Sequence, residues 1–398
     1  MFEKLNRQPQ DKIMELMSLF AADSRMEKID LGVGVYKDSF GNTPVMQSVK
    51  ESEKYLLENQ VTKKYVGLLG SIGFIDEMIN LSLGTVVPRL RVKGAQAPGG
   101  TGALHQLFLL IRETKDNPAV WLSSPTWPNH PAILKHLGIR IEKYRYFDPI
   151  SCEVDFEGMK EDLSRAQPGD VLLLHGCCHN PTGANLTATE WNEIANLCLD
   201  DRLIPLIDLA YQGFGDGLQQ DVLGVQEVAK KVPEMLIASS CSKNFGIYRD
   251  RVGTAIVLAE SNRHAELVED NLKSLNRLTF SFPPDHGASV VEKILSTPDL
   301  HEQWVVELES MREEMLSLRI KLADALKRET NSDRFSFISS HRGMFSRLGL
   351  SETQVVSLRE KFGIYMVSDS RINIAGLRDE KIDFLANSVA MVLKDASI

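Results

Sequence analysis

Cysteine is scarce in this sequence, and its distribution argues against cross-linked and zinc-bound folds. The 398 residues include five cysteines, at positions 152, 177, 178, 198 and 241. The number is odd, Cys177 and Cys178 are adjacent, and no Cys-x-x-Cys pair recurs, whereas disulfide frameworks and zinc sites depend on paired or regularly spaced cysteines. We therefore expect no disulfide framework and no metal site, and a reducing compartment fits the sequence.

Positive charge is also in short supply. Lysine and arginine number 45 against 54 aspartates and glutamates, which gives a formal net charge of -9. A nucleic-acid partner would require a basic surface, so we expect none. Small anionic ligands are still compatible with the composition, because a few arginines can make a local positive field.

Long apolar runs are missing as well. No run approaches the roughly 20 residues that span a bilayer, and charges interrupt the first twenty residues, where a secretory signal would have an apolar segment. Internal repeats, low-complexity tracts and flexible linkers are not found either. These features predict a cytoplasmic protein without membrane attachment.

What the sequence does contain is an alternation of short apolar runs with longer amphipathic stretches, which predicts an α/β fold with a largely parallel sheet. Polar or aromatic residues follow four of these runs directly, and in open α/β sheets ligands bind outside the carboxyl ends of the strands. We therefore predict a ligand site there. The predicted strands are residues 119–124, 170–176, 203–210, 234–240 and 252–259.

The character of the chain changes near residue 301. Residues 301–329 have apolar side chains at helical spacing and are long enough to connect two domains. The length of the chain also favours two domains. We expect a large domain at 44–310 and a smaller one made of 1–43 and 311–398.

The strongest chemical signal is Lys243, which lies three residues after a predicted strand in the stretch ASSCSKNFGIYRDRVG. A nucleophilic lysine must be partly neutral, and burial or nearby positive charge lowers its pKa. The hydroxyls of Ser240 and Ser242 and the cations of Arg249 and Arg251 are groups that bind phosphate well. A lysine that can form a Schiff base beside an anion site is what pyridoxal phosphate requires. The alternative is a solvated loop lysine among surface arginines.

Asp208 and Tyr211 add to this signal. Asp208 ends an apolar run, where an unpaired carboxylate would be costly, and a protonated pyridine nitrogen would be a suitable partner. Tyr211 can reach the phenolic oxygen of the same ring. The alternatives are a capping aspartate and an ordinary half-buried tyrosine. Residues 99–104 (GGTGAL) predict a glycine-rich turn opening into a helix, where backbone N–H groups bind phosphate, although a plain turn would have the same sequence.

The chain resembles the aspartate/aromatic-amino-acid aminotransferase family of the type I pyridoxal-phosphate fold over essentially its whole length. The resemblance implies a large domain with a mostly parallel seven-stranded sheet flanked by helices, a smaller α/β domain, and a homodimer with shared active sites. The motifs that carry it, in the order of the family, are LGVGVYKD, TKKYVG, PGGTGAL, PTWPNH, LHGCCHNPTG, DLAYQGF, SSCSKNFGIYRDRVG, FPPDHGA and RINIAG.

The resemblance also implies roles for individual residues at the cofactor. Lys243 is the Schiff-base lysine and moves a proton between the substrate Cα and the cofactor C4′, and Asp208 pairs with the pyridine nitrogen. Around the ring, Asn180 and Tyr211 contact the phenolic oxygen, Trp127 stacks, and His130 and His175 orient Asp208. The phosphate ligands are Gly100, Thr101, Ser240 and Arg251, with Tyr65 from the other subunit.

For the substrate, the resemblance implies that Arg371 holds the α-carboxylate with help from Gly34, Trp127 and Asn180. Arg277 lies where the family has the arginine that reaches across the dimer to a distal carboxylate; a surface arginine is the alternative. Phe282 stands where the aspartate-specific branch usually has an asparagine, and Lys64 stands at the position of a second asparagine that is common in that branch. We therefore favour transamination of phenylalanine, tyrosine and tryptophan with 2-oxoglutarate. The alternative is an aspartate aminotransferase, because Val35, Lys37, Thr43 and Thr101 resemble that branch.

Three other classes fit the sequence less well. A lyase or decarboxylase of the same fold would share Lys243 and Asp208 but would not need Arg277. A pyridoxal-binding regulator would need an added DNA-binding domain, for which the chain has no spare length. A binding protein without catalysis would not need Lys243.

Overall fold

The computed structural model describes residues 1–7, 12–114 and 119–395. Within it the chain forms two compact units. The smaller unit comprises Met1–Thr43 and Met315–Ile398, and the larger comprises Pro44–Glu314.

The larger unit contains a seven-stranded sheet. Val252–Leu258 runs antiparallel to both of its neighbours, and every other adjacent pair is parallel. The expected α/β class with a mostly parallel seven-stranded sheet is thereby confirmed. Across the sheet, the strand order is Val92–Pro98, Val252–Leu258, Met235–Ser240, Ile204–Leu209, Val171–His175, Ala119–Ser124 and Arg140–Arg145.

Apolar composition explains why the central strands form. Every residue of Val171–His175, Met235–Ser240 and Val252–Leu258 is buried, as expected of strands covered on both faces, which have continuous apolar runs rather than alternation. All five predicted strands are present, and each end differs from the prediction by at most one residue.

The helices of the larger unit follow or precede these strands, and several begin at hydrogen-bonding caps. Thr187 and Glu190 form a reciprocal capping box, and Ser71 and Ser261 each accept a first-turn backbone N–H. The helices are Gln47–Asn59, Ile72–Leu83, Gly99–Thr114, Asn129–His136, Phe156–Leu163, Ala188–Asp200, Leu223–Lys231, Asn262–Thr279 and His286–Ser296. Shorter pieces are the 3-10 helices Arg89–Arg91 and Gln220–Val222 and the strand pair Phe147–Asp148 and Glu153–Val154.

The long helix predicted at 301–329 spans Pro298–Thr330; its first residues belong to the larger unit and its later ones to the smaller.

The smaller unit is also α/β. Ile29–Asp30 pairs in parallel with Ile364–Tyr365, and Phe345–Arg347 pairs antiparallel with Arg371–Asn373. Its other helices are Lys12–Ala22, Phe337–Ser340, Glu352–Phe362 and Ile382–Asp395, with 3-10 turns at Phe2–Lys4, Asp333–Phe335, Ile374–Gly376 and Asp379–Lys381.

Among the helices in the described parts of the chain, none has both the length and the apolar character needed to cross a bilayer.

Candidate active site

The carboxyl ends of the parallel strands place several of the predicted residues side by side. His175 and Asp208 are register partners on adjacent strands, and Asp208 is in turn the partner of Ala238. Ser240 ends the strand that carries Ala238, and Lys243 follows in the next turn. Since these strands run in the same direction, one edge of the sheet presents His175, Asp208 and Ser240 together.

Asp208 is buried and is hydrogen-bonded by His130, with 3.0 Å between His130 Nε2 and Asp208 Oδ2. Burial by itself would raise the pKa of Asp208. The hydrogen bond from His130, together with the electrostatic effects of His130, His175 and Lys243, outweighs burial and holds the pKa of Asp208 below its usual value. The carboxylate therefore stays charged and can neutralise a cation beside it.

A hydrogen-bonded chain continues behind Asp208 through Thr126, a residue that the sequence interpretation missed. Thr126 Oγ1 lies 2.9 Å from His130 Nδ1 and 3.3 Å from His175 Nε2. Burial and the charge of His130 lower the pKa of His175 to about 3, so His175 is neutral. Because Asp208 can only accept, His130 donates to it through Nε2, and Thr126 Oγ1 bridges the other ring nitrogen of His130 and Nε2 of His175. The chain fixes the orientation of the carboxylate.

Lys243 is half-buried, and its Nζ lies 4.8 Å from the centre of the Tyr211 ring. Burial lowers the pKa of Lys243 to about 8; the charge of Asp208 opposes the shift and that of Arg251 adds to it. An ordinary lysine is almost wholly protonated near neutral pH, whereas this amine has a substantial neutral fraction there. Lys243 is therefore chemically suited to act as a nucleophile and a base.

Three further predicted residues lie around Asp208 and Lys243. Asn180 Nδ2 donates to the hydroxyl of Tyr211 across 3.4 Å, and both side chains are buried. The ring of Trp127 meets His130 edge to face, with 5.2 Å between the ring centres. Asn180 thus contacts the tyrosine that lies against the amine, and Trp127 contacts the histidine that is hydrogen-bonded to the carboxylate.

An anion cradle lies at the start of the helix Gly99–Thr114. The sequence indicates a glycine-rich turn before a helix, but the structure begins the helix at Gly99, so Gly100 and Thr101 are in its first turn, where N–H groups have no acceptor within the helix. Gly99 has a φ of +74, and a Cβ there would lie 2.5 Å from Arg251 Nη2. At Gly100 a Cβ would lie 3.0 Å from Ser240 Cβ. The close approach of the helix to Arg251 therefore depends on glycine.

Hydroxyl and guanidinium groups complete this cradle. Arg251 Nη1 donates to the backbone oxygen of Tyr248 at 3.0 Å and to Ser242 Oγ at 3.4 Å. Ser240 Oγ lies 3.2 Å from Ser242 Oγ. A helix N-terminus, two hydroxyls and one arginine make a site with the chemistry that a phosphate group requires.

A separate group of predicted residues is exposed. Tyr65, with 81% of its surface exposed, stacks on Phe282 with 4.7 Å between ring centres. The guanidinium of Arg277 lies 5.6 Å from the Phe282 ring and donates to the hydroxyl of Ser281. None of the contacts described in this chain joins these residues to the surroundings of Lys243.

Arg371 and Gly34 lie in the smaller unit. Arg371 is buried; its Nη2 donates to the backbone oxygen of Gly32 at 2.8 Å, and its guanidinium lies 4.4 Å from the centre of the Phe345 ring. Gly34 packs against the same ring, since a Cβ at this position would be 2.9 Å from Phe345 Cζ. These contacts hold the guanidinium in one orientation, which favours paired hydrogen bonds to a carboxylate.

One cluster was not expected from the sequence. The sulfur atoms of Cys177 and Cys178 and a carboxylate oxygen of Asp221 are buried within 4.8 Å of one another, close enough for a metal ion to bind. The Asp221 carboxylate, however, accepts the N–H groups of Gly213, Gly215 and Asp216 at 2.7–2.9 Å. Its evident role is to hold the loop that follows Tyr211. The five cysteines are buried, and none of them forms a disulfide.

Comparison with known proteins gives consistent results. A family model described as aminotransferase class I and II matches residues 26–389. The aromatic-amino-acid aminotransferase of Paracoccus denitrificans is 51% identical over 98% of this chain and 100% of its own length. The aspartate aminotransferase of Escherichia coli is 40% identical over 99% and 100%. A crystal structure of an aromatic-amino-acid aminotransferase from Burkholderia pseudomallei, covalently bound to pyridoxal phosphate, superposes with a TM-score of 0.96 at 37% identity, covering 99% of each chain.

Proposed function

Because the chain belongs to the family of class I and II aminotransferases, we propose that it transfers amino groups from phenylalanine, tyrosine and tryptophan to 2-oxoglutarate, with pyridoxal phosphate as cofactor. The observation that carries the proposal is an amine with a lowered pKa, Lys243, placed with a charged buried carboxylate, Asp208, and a phosphate cradle. A cytoplasmic location is part of the proposal and agrees with five cysteines that form no disulfide.

The residues present fit the cofactor. The cradle of Gly100, Thr101, Ser240 and Arg251 suits its phosphate, and the gap between the helix start and Arg251 exists only because position 99 has no Cβ. Asp208 suits its ring nitrogen, and the hydroxyl of Tyr211 with the amide of Asn180 suits its phenolic oxygen. When bound, pyridoxal phosphate supplies a ring that withdraws electrons from the substrate Cα after its proton has left.

In this proposal Lys243 has two tasks. Its Nζ would hold the cofactor while no substrate is bound. Once free, the same amine would take the proton from the substrate Cα and would be the group that returns a proton at C4′ of the cofactor. A pKa near 8 suits both tasks, because the amine can accept and release a proton close to neutral pH.

Arg371 and Gly34 bind the substrate α-carboxylate in this proposal, with Trp127 and Asn180 as further contacts. A fixed guanidinium and a fixed phosphate cradle hold two ends of the reacting molecule. Holding both ends orients the Cα–H bond for removal of its proton. His130 and His175 act through the Thr126 chain by keeping Asp208 charged and oriented.

The proposal includes a homodimer in which Tyr65 and Arg277 serve the active site of the other subunit. Their exposure in the single chain supports this. Tyr65 has 81% of its surface exposed, and the contacts described for Arg277 are with Ser281 and Phe282, so both side chains have surface available to a second subunit. Tyr65 would contact the phosphate and Arg277 a distal carboxylate.

The choice of aromatic over dicarboxylic donors rests on Phe282. Its ring stacks on Tyr65 and lies beside Arg277, so it makes the distal pocket more apolar. Arg277 favours a second candidate, aspartate aminotransferase, because the same guanidinium binds aspartate, glutamate and 2-oxoglutarate. Aromatic and dicarboxylic amino donors would both react through the same chemistry at Lys243.

The test is a comparison of kcat/KM for phenylalanine and aspartate with 2-oxoglutarate as acceptor, with carbon dioxide measured in parallel. We expect glutamate to form from both donors, with phenylalanine preferred and no carbon dioxide released. A preference for aspartate would support the second candidate, and release of carbon dioxide would contradict transamination.

A further inference from the structure

Asn373 shares a strand face with Arg371. In the antiparallel pair of the smaller unit, Phe345 is the register partner of Asn373 and Arg347 that of Arg371. Residues two apart on a strand point to the same face. The side chain of Asn373 is therefore on the side of the strand where Arg371 contacts Gly32 and the Phe345 ring.

The side-chain amide of Asn373 is hydrogen-bonded to the residues on both sides of Gly34. Its Nδ2 donates to the backbone oxygen of Val33 and to that of Val35, each at 2.7 Å. The reverse orientation of the amide would place Oδ1 against two carbonyl oxygens, so the neighbours determine which atom is which. One side chain thus ties down the residues before and after Gly34.

This arrangement leaves a polar atom without a partner. Asn373 is fully buried, and its Oδ1 accepts no hydrogen bond within the described parts of the chain. Burying an unsatisfied carbonyl oxygen is unfavourable, and native proteins rarely do so without compensation. The two hydrogen bonds that Nδ2 donates to Val33 and Val35 offset part of this cost and hold the backbone on both sides of Gly34.

Backbone hydrogen bonds continue the attachment on either side. The N–H of Asn373 donates to the oxygen of Leu31, and that of Lys37 to the oxygen of Ala375, each at 2.8 Å. The strand that carries Arg371 and the segment that carries Gly34 are therefore joined at several points. Among these hydrogen bonds, the two donated by the Asn373 side chain are the ones next to Gly34.

We propose that Asn373 is a positioning residue for the substrate α-carboxylate: its amide fixes Gly34 relative to Arg371 and the Phe345 ring without touching the substrate. The inference rests on the proposed function, which assigns the α-carboxylate to Arg371 and Gly34. A carboxylate that bonds to a fixed fork and a neighbouring backbone loses affinity when the two parts shift apart, even by a fraction of an ångström.

The test compares a substrate that has the carboxylate with one that lacks it, using the holoenzyme. In Asn373→Ala we expect KM for phenylalanine to rise about tenfold, while kcat/KM for 2-phenylethylamine changes less than about twofold. The ratio of kcat/KM between the two donors should then fall about tenfold, and the affinity for pyridoxal phosphate should be unchanged.

Val389→Ala is the matched control. Val389 is fully buried in the helix Ile382–Asp395 of the same unit, so this variant lowers the melting temperature of that unit without altering the Val33–Val35 segment. We expect its phenylalanine to 2-phenylethylamine ratio to equal that of the wild type. Should Asn373→Ala fail to fold, Asn373→Ser retains a donor and is expected to give an intermediate ratio.

The outcomes separate this inference from the proposed function. A wild-type ratio in the folded Asn373 variant overturns the positioning role, whatever its melting temperature. Wild-type enzyme that transfers amino groups from neither phenylalanine nor aspartate overturns the proposed function itself. If only aspartate is a donor, the comparison of aspartate with 3-aminopropanoate tests Asn373 in the same way.

Discussion

The amine of Lys243 is where the physical chemistry of this chain is most specific, because its pKa is set by identifiable neighbours. A lysine amine attacks an aldehyde only in its neutral form, so the rate of attack rises as the pH passes the pKa. With the pKa of Lys243 at about 8, covalent attachment of pyridoxal to the apo protein should rise with pH with a midpoint near 8. The measurement is the attachment rate at a series of pH values.

The charges of Asp208 and Arg251 predict the direction in which the pKa of Lys243 shifts in two variants. Asp208 raises the pKa of Lys243, so Asp208→Asn should move the midpoint to lower pH. Arg251 lowers the pKa of Lys243, so Arg251→Gln should move it to higher pH. Pyridoxal is used because it has no phosphate group. Loss of Arg251, a proposed phosphate ligand, therefore does not by itself weaken the binding of this compound. Shifts in the same direction for both variants would contradict this assignment.

Phe282 gives a prediction about specificity. Asparagine at this position would remove the ring that stacks on Tyr65 and offer Arg277 a polar neighbour. We expect Phe282→Asn to raise the ratio of kcat/KM for aspartate over phenylalanine about tenfold, the size of effect of one well-placed polar contact. Phe282→Leu, which stays apolar, should leave the ratio close to that of the wild type. An unchanged ratio in the asparagine variant would remove Phe282 as a determinant.

Some of these residues could be identified from the sequence and others could not. Asp208 stands out because it is a carboxylate within an apolar run, and Lys243 because it follows such a run by three residues among hydroxyl groups and arginines. Thr126 has no such signal, since its role depends on two histidines brought together by folding. The same holds for Asn373, whose acceptor at Val33 is 340 residues away along the chain.

At the scale of elements, the start of the helix Gly99–Thr114 requires a glycine. Alanine at Gly99 would adopt an unfavourable positive φ and would place its Cβ 2.5 Å from Arg251 Nη2. We expect Gly99→Ala to weaken the affinity for pyridoxal phosphate at least about tenfold and to affect pyridoxal much less. Equilibrium titration of the apo protein with each compound makes the comparison.

Gly138→Ala is the control for backbone strain. Gly138 has a φ of +70, and a Cβ there would meet nothing within 4 Å. This variant carries the cost of the positive φ without a collision near Arg251, so its affinity for pyridoxal phosphate should match that of the wild type. Equal losses of affinity in the two variants would show that strain, not the cradle, is responsible.

The strands show where sequence patterns are informative. Five apolar runs predicted five strands, but two strands of the sheet were not predicted. Arg140–Arg145 is a charged edge strand, and Val92–Pro98 includes glycine, glutamine and proline, so neither has the apolar run that the central strands share. The antiparallel direction of Val252–Leu258 could not be deduced either, because a strand buried on both faces has the same composition in either direction.

At the scale of the whole molecule, the proposed dimer divides one active site between two chains. The chain with Lys243→Ala retains Arg277, and the chain with Arg277→Ala retains Lys243. Co-expression of the two should restore one complete site in each mixed dimer and so recover about a quarter of wild-type activity toward aspartate, because random pairing makes half of the dimers mixed.

Co-expression of Lys243→Ala with Asp208→Asn is the control for this experiment. Both residues belong to the same strand-end site of one chain, so no mixed dimer would contain a complete site. Activity should stay at the level of the separate variants. Recovery in this control, or none in the Arg277 mixture, would contradict a site shared in the proposed way.

The measurement that tests the central claim most directly is chemical labelling of the holoenzyme. Borohydride reduction followed by peptide mass mapping should find a phosphopyridoxyl group on Lys243, with loss of the visible absorbance, and Lys243→Ala should show neither the label nor turnover. A phosphopyridoxyl group on another lysine, or wild-type turnover by Lys243→Ala, would contradict the account.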